Sequence, residues 1–383
     1  MSIYFDAAAT TKPDSKVVEA MMPYFTDKWY NPSSLYAPSV QIKRDIEEAR
    51  KTVADYIGAK SNEIFFTSGG SEGNCWAIQG FVNYWRSKRK NPVIITSVVE
   101  HKSIVSCVKN LDVEVRYIGV DSEGFIDISV LKNILFDLEA YNGKALVSIQ
   151  YANNEIGTIQ HVKEIANIVH EHGAIFHADA VQAFGNIDID VNKLGIDIMT
   201  ASGHKIGAPK GIGFLYKRTG IDINPLIYGS QMNSMRGGTE NVPYIIGMAE
   251  AVKLLQKDEE YRLRLTILRN NFISQLKALG CKVNGSLDER LPNNINVTFP
   301  QNITGESLLY LLDTSNIFIS TGSACNSKSI EPSYVLTAIG LTDEEAMRTI
   351  RITLPKDITM DEIDSVVNEI KKQIKLLTTE DEI

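Results

Sequence analysis

Four short segments of this 383-residue chain combine residue types that can do chemistry together. T-S-G-G-S-E-G-N at 67–74 follows an apolar run and opens a helix-like stretch. Its glycines let backbone approach a ligand, and a helix N-terminus favours phosphate; a plain turn with a helix cap accounts for the same residues. H-A-D-A-V-Q at 177–182 puts Asp179 on an otherwise apolar strand, where a carboxylate needs a cationic partner. A protonated pyridinium nitrogen is one such partner; a helix cap or an ordinary ion pair is another. S-G-H-K at 202–205 sets Lys205 at a strand end before a glycine-rich stretch, a placement that suits a Schiff-base amine as well as a solvated lysine. S-T-G-S-A-C-N-S at 320–327 surrounds Cys325 with small polar residues, which describes an exposed, mobile loop bearing a reactive thiol. Cys75 and Cys107 have helix-forming, apolar neighbours and read as packing residues, and Cys281 sits in a short strand. Together the four segments supply a phosphate loop, a pyridinium acid and a Schiff-base lysine, parts that a pyridoxal phosphate (PLP) enzyme uses, and a mobile thiol besides.

These side chains have to be positioned by strand ends, because ligands of open parallel sheets bind beyond the C-terminal ends of strands. Apolar runs at 63–68, 93–97, 113–119, 145–152, 174–180, 196–202 and 212–217 predict seven strands. Helix-like stretches such as 71–88 and 161–172 separate them, and the strands lack clean polar alternation. That pattern predicts an α/β domain with a mostly parallel seven-stranded sheet buried on both faces. A long amphipathic segment over 242–279 leads into strand-like pieces at 281–285, 293–299 and 317–321, with helices near 305–313, 331–339 and 360–377. The expected organisation is a large domain at 15–255 and a smaller α+β domain made of 1–14 with 256–383, which carries the Cys325 loop.

Composition narrows the class. Two domains suit this length; 44% hydrophobic and 22% charged residues are those of a globular protein. A net charge of −8 argues against a duplex nucleic-acid binder. No apolar run approaches the roughly 20 residues of a membrane span, and no leader pattern opens the chain, so a cytoplasmic protein is expected. The four cysteines are far apart without a CxxC pair, which leaves no expected metal site and no disulfide framework.

The chain resembles the NifS/IscS-type cysteine desulfurases, a branch of the class V aminotransferase group with the PLP-dependent transferase fold-type I. The resemblance runs from YFDAAATTKP to IRITL and is carried by NNEIGTIQ (153–160), HADAVQAFG (177–185), SGHKIGAPKGIG (202–213), RGGTENVP (236–243) and STGSACNSKSIEPSYVLTAIG (320–340). It implies that Lys205 binds PLP and shuttles the Cα proton, that Asp179 pairs with the pyridinium nitrogen, and that Gln182 bonds the ring hydroxyl. His101 stacks over the ring. Gly70, Ser71, Ser202 and His204 contact the phosphate, and Thr239 reaches in from a neighbouring subunit, which implies a homodimer. Asn154 and Arg351 hold the carboxylate of L-cysteine, and Cys325 takes its sulfur as a persulfide. The SKSIEP continuation resembles the branch that feeds an iron–sulfur scaffold or a thiolation protein. Departures from the family pattern remove no group the reaction needs and bear on the partner surface and on the dimer contacts around 228–236: Ala7 stands where Asn is usual, Tyr36 where His is usual, and Y-G-S-Q-M-N-S-M (228–235) replaces a glycine-rich stretch. A fourth is Pro355, where Gly is usual. A class V PLP enzyme with other chemistry, such as a selenocysteine lyase, β-eliminase or aminotransferase, needs the lysine but no thiol, so Cys325 separates the readings. A binding protein that had lost catalysis would have no need to keep Lys205, Asp179, Gln182 and Cys325.

Overall fold

The computed structural model describes residues 2–140, 144–256, 260–300, 303–321 and 331–380. After β1 (Ile3–Tyr4), seven strands follow in chain order: β2 (Ile64–Thr67), β3 (Pro92–Ser97), β4 (Glu114–Ile118), β5 (Lys144–Gln150), β6 (Ile175–Asp179), β7 (Ile198–Ser202) and β8 (Gly213–Lys217). They form one sheet in the order β2-β8-β7-β6-β5-β3-β4. The core strands β4, β3, β5, β6 and β7 pair in parallel. β8 is antiparallel to both β7 and β2, so β2 runs in the same direction as β7. That double reversal brings the turn after β2 to the same edge of the sheet as the ends of β5, β6 and β7.

The seven expected strands are all present. β3 and β6 are apolar because helices cover both faces; helix Val162–Glu171, for instance, buries Val162, Ile165, Ala166, Ile168 and Val169, a spacing of three and four that lays one stripe on the sheet. The single segment expected over 242–279 is two helices, Val242–Gln256 and Tyr261–Lys277. The change of partner explains the break: Ile245, Met248 and Val252 pack into the core of the large sheet, whereas Leu265, Phe272 and Leu276 pack into a second core.

That second core lies against a four-stranded antiparallel sheet, ordered β12-β13-β10-β9, built from β9 (Lys282–Val283), β10 (Asn294–Thr298), β12 (Ser320–Thr321) and β13 (Thr349–Thr353). A further strand, β11 (Ile317–Phe318), pairs in parallel with β1. Cys281 immediately precedes β9 rather than lying in a strand. β13 is absent from the sequence reading; Ile350 and Ile352 face the core there and alternate with Arg351, the period of two that marks a strand. The N-terminal segment belongs to this core through Ile3 and Phe5, and Asp6 bridges to Thr353.

Candidate active site

Five strand ends converge. β6 ends on Asp179, which is 1% exposed. Its carboxylate accepts from the Val181 amide at 3.0 Å and from Asn74 Nδ2 at 2.8 Å. β7 ends on Ser202, and a single helical turn carries His204 and Lys205 beyond it. Lys205 Nζ donates to the carbonyls of Ala8 and Ala9, the latter at 2.8 Å. Gln182 Nε2 donates to the same Ala8 carbonyl at 3.0 Å. The N-terminal segment therefore lies across the mouth of the large sheet, held also by Thr11 N on the His204 carbonyl at 2.8 Å.

β2 leads into Gly69, whose φ of 153° opens helix Gly70–Ser87 with no side chain capping its amides. A Cβ on Gly70 would meet Val181 Cγ2 at 2.6 Å, and Gly73 is pressed equally against Thr200. Glycine is what lets this helix start so close to the ends of β6 and β7. Ser71 is exposed in the first turn. Glu72 is held there by the Arg236 guanidinium in a two-point ion pair of 3.0 and 3.2 Å.

His101 follows β3 and caps helix Lys102–Lys109: its Nδ1 accepts from the Ser103 amide at 3.1 Å. The neutral ring consequently carries its proton on Nε2. Burial pushes the His101 pKa down, the Lys205 charge adds to this, and the Asp179 charge opposes it. His204 is pushed down to about 4, first by burial and then by Lys205 and Lys210; its Nδ1 lies 3.2 Å from Thr10 Oγ1. His177, wholly buried between Ser148 and Thr200, is pushed down to about 3 by burial.

Asn154 and Arg351 meet across the two sheets. Arg351, on β13, donates to the Asn154 carbonyl at 3.3 Å and to Asp6 Oδ1 at 2.7 Å. Gln150 Nε2 donates to Asn154 Oδ1 at 3.1 Å, so the Asn154 amide nitrogen is turned away from Gln150. Behind them lie two buried acids. Glu100 accepts from Ser97 Oγ at 2.6 Å and the Gln150 amide at 3.0 Å, and burial raises its pKa to about 8, with Asp179 adding to the rise. Glu155 accepts from Ser333 Oγ, and burial raises it to about 7 against the pull of Arg351.

The structure thus gathers Gly70, His101, Asn154, Asp179, Gln182, Ser202, His204, Lys205 and Arg351 around one sheet edge. Thr239 is exposed and forms no described bond to this cluster. Cys325 lies outside the described residues; Ser320 of β12 pairs with Arg351, five positions before it. Sequence reasoning missed Asn74, Asp6 and Gln150, which hold Asp179, Arg351 and Asn154. A signal existed for Asn74 alone, as a polar residue between Gly73 and Trp76 on the buried face of an amphipathic helix.

A family model described as aminotransferase class-V matches residues 3–366. The cysteine desulfurase IscS of Methanosarcina thermophila is 44% identical over 382 residues, 98% of this chain and 93% of its own. That of Dictyoglomus turgidum is also 44% identical, over 98% of this chain and 95% of its own. Among solved structures, a NifS-like protein superposes with a TM-score of 0.89 at 36% identity, covering 98% of this chain and 100% of its own. A structure described as SspA in complex with cysteine gives a TM-score of 0.78 at 36% identity, covering 93% and 99%. The chain belongs to the aminotransferase class-V family and, within it, to the cysteine desulfurases.

Proposed function

We propose that this cysteine desulfurase uses PLP held on Lys205 and passes the sulfur of L-cysteine to Cys325 as a persulfide. The observation that supports this most is the buried Asp179 carboxylate at the end of β6, one strand from Lys205. A carboxylate this buried needs a cationic partner, and the side chain bonded to it, Asn74, is neutral. The residues present fit the cofactor: Asp179 for its ring nitrogen, Gln182 for its hydroxyl, His101 for its face. The helix N-terminus at Gly70 and Ser71, with Ser202 and His204, suits its phosphate, and Thr239 of a second copy would complete that cradle in a homodimer. Bound there, PLP supplies an electron sink that makes the Cα proton acidic and the C–S bond of cysteine labile.

The protein's own groups then have distinct tasks. Arg351 and Asn154 fix the substrate carboxylate; the guanidinium fork suits its planar geometry. Lys205 Nζ takes the Cα proton and returns it. The Cys325 thiolate attacks the substrate sulfur, the C–S bond breaks, and alanine leaves once the carbon is reprotonated. The persulfide is then passed to an acceptor protein, an iron–sulfur scaffold or a thiolation protein, in the cytoplasm. We also infer a division into a large domain, 15–255, and a small one formed by 1–14 with 256–383. It is supported by Ile3 and Phe5 sharing a core with Leu265 and Ile370, apart from that of the large sheet.

Purified protein incubated with L-cysteine and a thiol reductant tests the reading. Equal alanine and sulfide are expected, both abolished in Lys205→Ala and Cys325→Ala. Sulfide and pyruvate persisting in Cys325→Ala would mean β-elimination instead.

A further inference from the structure

Two cysteines outside the site stand against each other. Helix Gly70–Ser87 and helix Lys102–Lys109 pack side by side, with Cys75 Sγ 3.9 Å from the Ser103 carbonyl and Gln79 Nε2 donating to Cys107 Sγ at 3.8 Å. Residues 75 and 79 are one turn apart, as are 103 and 107, so the helices run in register and each cysteine points at the other helix within one turn of its counterpart. Cys75 is half-buried and Cys107 is 5% exposed, so one thiol of the pair is reachable and the other waits behind it. Both helices begin in the active site. Asn74, next to Cys75, donates to Ser103 Oγ at 2.9 Å and to Asp179 at 2.8 Å, and the second helix is capped by His101.

We propose that Cys75 and Cys107 are a dithiol switch that closes to a disulfide at the expense of sulfane sulfur, the form of sulfur a desulfurase releases when no acceptor removes it. The proposal rests on the desulfurase reading only for the source of that oxidant. The Cys75 thiolate attacks a terminal sulfane sulfur, the donor's S–S bond breaks, and Cys75 becomes a persulfide while the donor leaves as a thiol or shorter sulfide. Cys107 then loses its proton and attacks Cys75 Sγ, expelling hydrosulfide. Two thiols are oxidised by two electrons and one sulfane sulfur is reduced to sulfide. The order follows the chemistry: hydrogen bonding from Cys107 pulls the Cys75 pKa down to about 7, whereas that of Cys107 is raised. Cys75 is thus the attacking thiolate and Cys107 the resolving group. A bond drawn between the helices shifts Asn74 off Asp179 and loosens the grip on the cofactor.

The test uses cofactor-loaded Cys325→Ser protein, so that the catalytic thiol cannot take the probe, and inorganic polysulfide as the sulfane donor. Mass spectrometry of a non-reduced digest is expected to show the Cys75 and Cys107 peptides joined, with sulfide released and the link reversed by dithiothreitol. Cofactor retention is expected to fall about tenfold on closure, the scale of one hydrogen bond to a charged group. Adding Cys107→Ser is expected to trap Cys75 as a persulfide, one sulfur heavier. Unmodified Cys75, or a Cys75 persulfide beside intact Cys107, overturns the switch; a closed bridge with unchanged retention overturns its link to the site. Wild-type protein turning over L-cysteine without reductant is expected to close the same bridge. Alanine without a bridge there overturns the enzyme's product as oxidant, whereas no alanine at all counts against the desulfurase reading.

Discussion

Asn74 donates through one nitrogen to both Asp179 and Ser103, at 2.8 and 2.9 Å, tying the helix after β2 to the end of β6 and the start of the helix after β3. Asn74→Ala removes a hydrogen bond to a buried carboxylate. Affinity for PLP is expected to fall about tenfold, while the fold is kept. Titration of the apoprotein followed by absorbance checks it, and unchanged affinity would show that Asn74 does not hold Asp179 for the cofactor.

Arg351 reaches Asp6 and the Asn154 carbonyl with separate nitrogens. Lysine keeps the charge but loses the fork, so Arg351→Lys is expected to raise KM for L-cysteine by about tenfold or more, with a smaller change in kcat. Steady-state alanine formation reads both constants. A fall in kcat at constant KM would move Arg351 from binding to the chemical step.

Burial raises Glu155 from 4.5 to about 7. The folded chain therefore holds this proton where the unfolded chain releases it. The contribution of Glu155 is most favourable below pH 4.5 and turns into a penalty as pH rises to 7, about 3 kcal/mol in full. Glu155→Gln is expected to gain stability relative to the wild type between pH 5 and pH 8. Urea midpoints of both proteins at each pH measure the difference; a gap independent of pH would mean that Glu155 is ionised in the fold throughout.

A Cβ on Gly213 would lie 2.5 Å from the Ala201 carbonyl and 2.9 Å from Gly69 Cα, both backbone atoms that cannot swing aside. Gly213→Ala is expected to destabilise the protein by about 1–3 kcal/mol and to weaken PLP binding, because the turn at Gly69 opens the helix at Gly70. Thermal unfolding with and without cofactor separates the two effects. An unaltered melting temperature would show that the turn yields.

Much of the large sheet was legible in the chain. Six of the seven runs are apolar because those strands are covered on both faces and have no polar side to show, whereas β4, with Glu114, Arg116 and Tyr117 exposed, lies at the edge of the sheet. β13 was written in the chain as well, since Ile350, Ile352 and Leu354 alternate with Arg351 and Thr353, and the sequence reading missed it; only its pairing with β10 and β12 lay beyond the sequence. The break within 242–279 also escaped, because both halves are apolar on one face and differ only in which core they meet.

Residue type by itself determined the candidate chemistry: a lysine after a strand, an acid where acids are expensive, a glycine turn before a helix, a thiol among small residues. Those local costs are written in the neighbours of each residue. What only the tertiary structure decided is who holds whom: Asn74 on Asp179, Asp6 on Arg351, the carbonyls of Ala8 and Ala9 on Lys205, and Cys75 against Cys107. These partners are separated by 32 to 345 positions along the chain. They meet because β8 runs antiparallel between β2 and β7 and because Phe5 is buried in the second core. Hydrogen bonds act over about 3 Å of space, and sequence distance carries no trace of them.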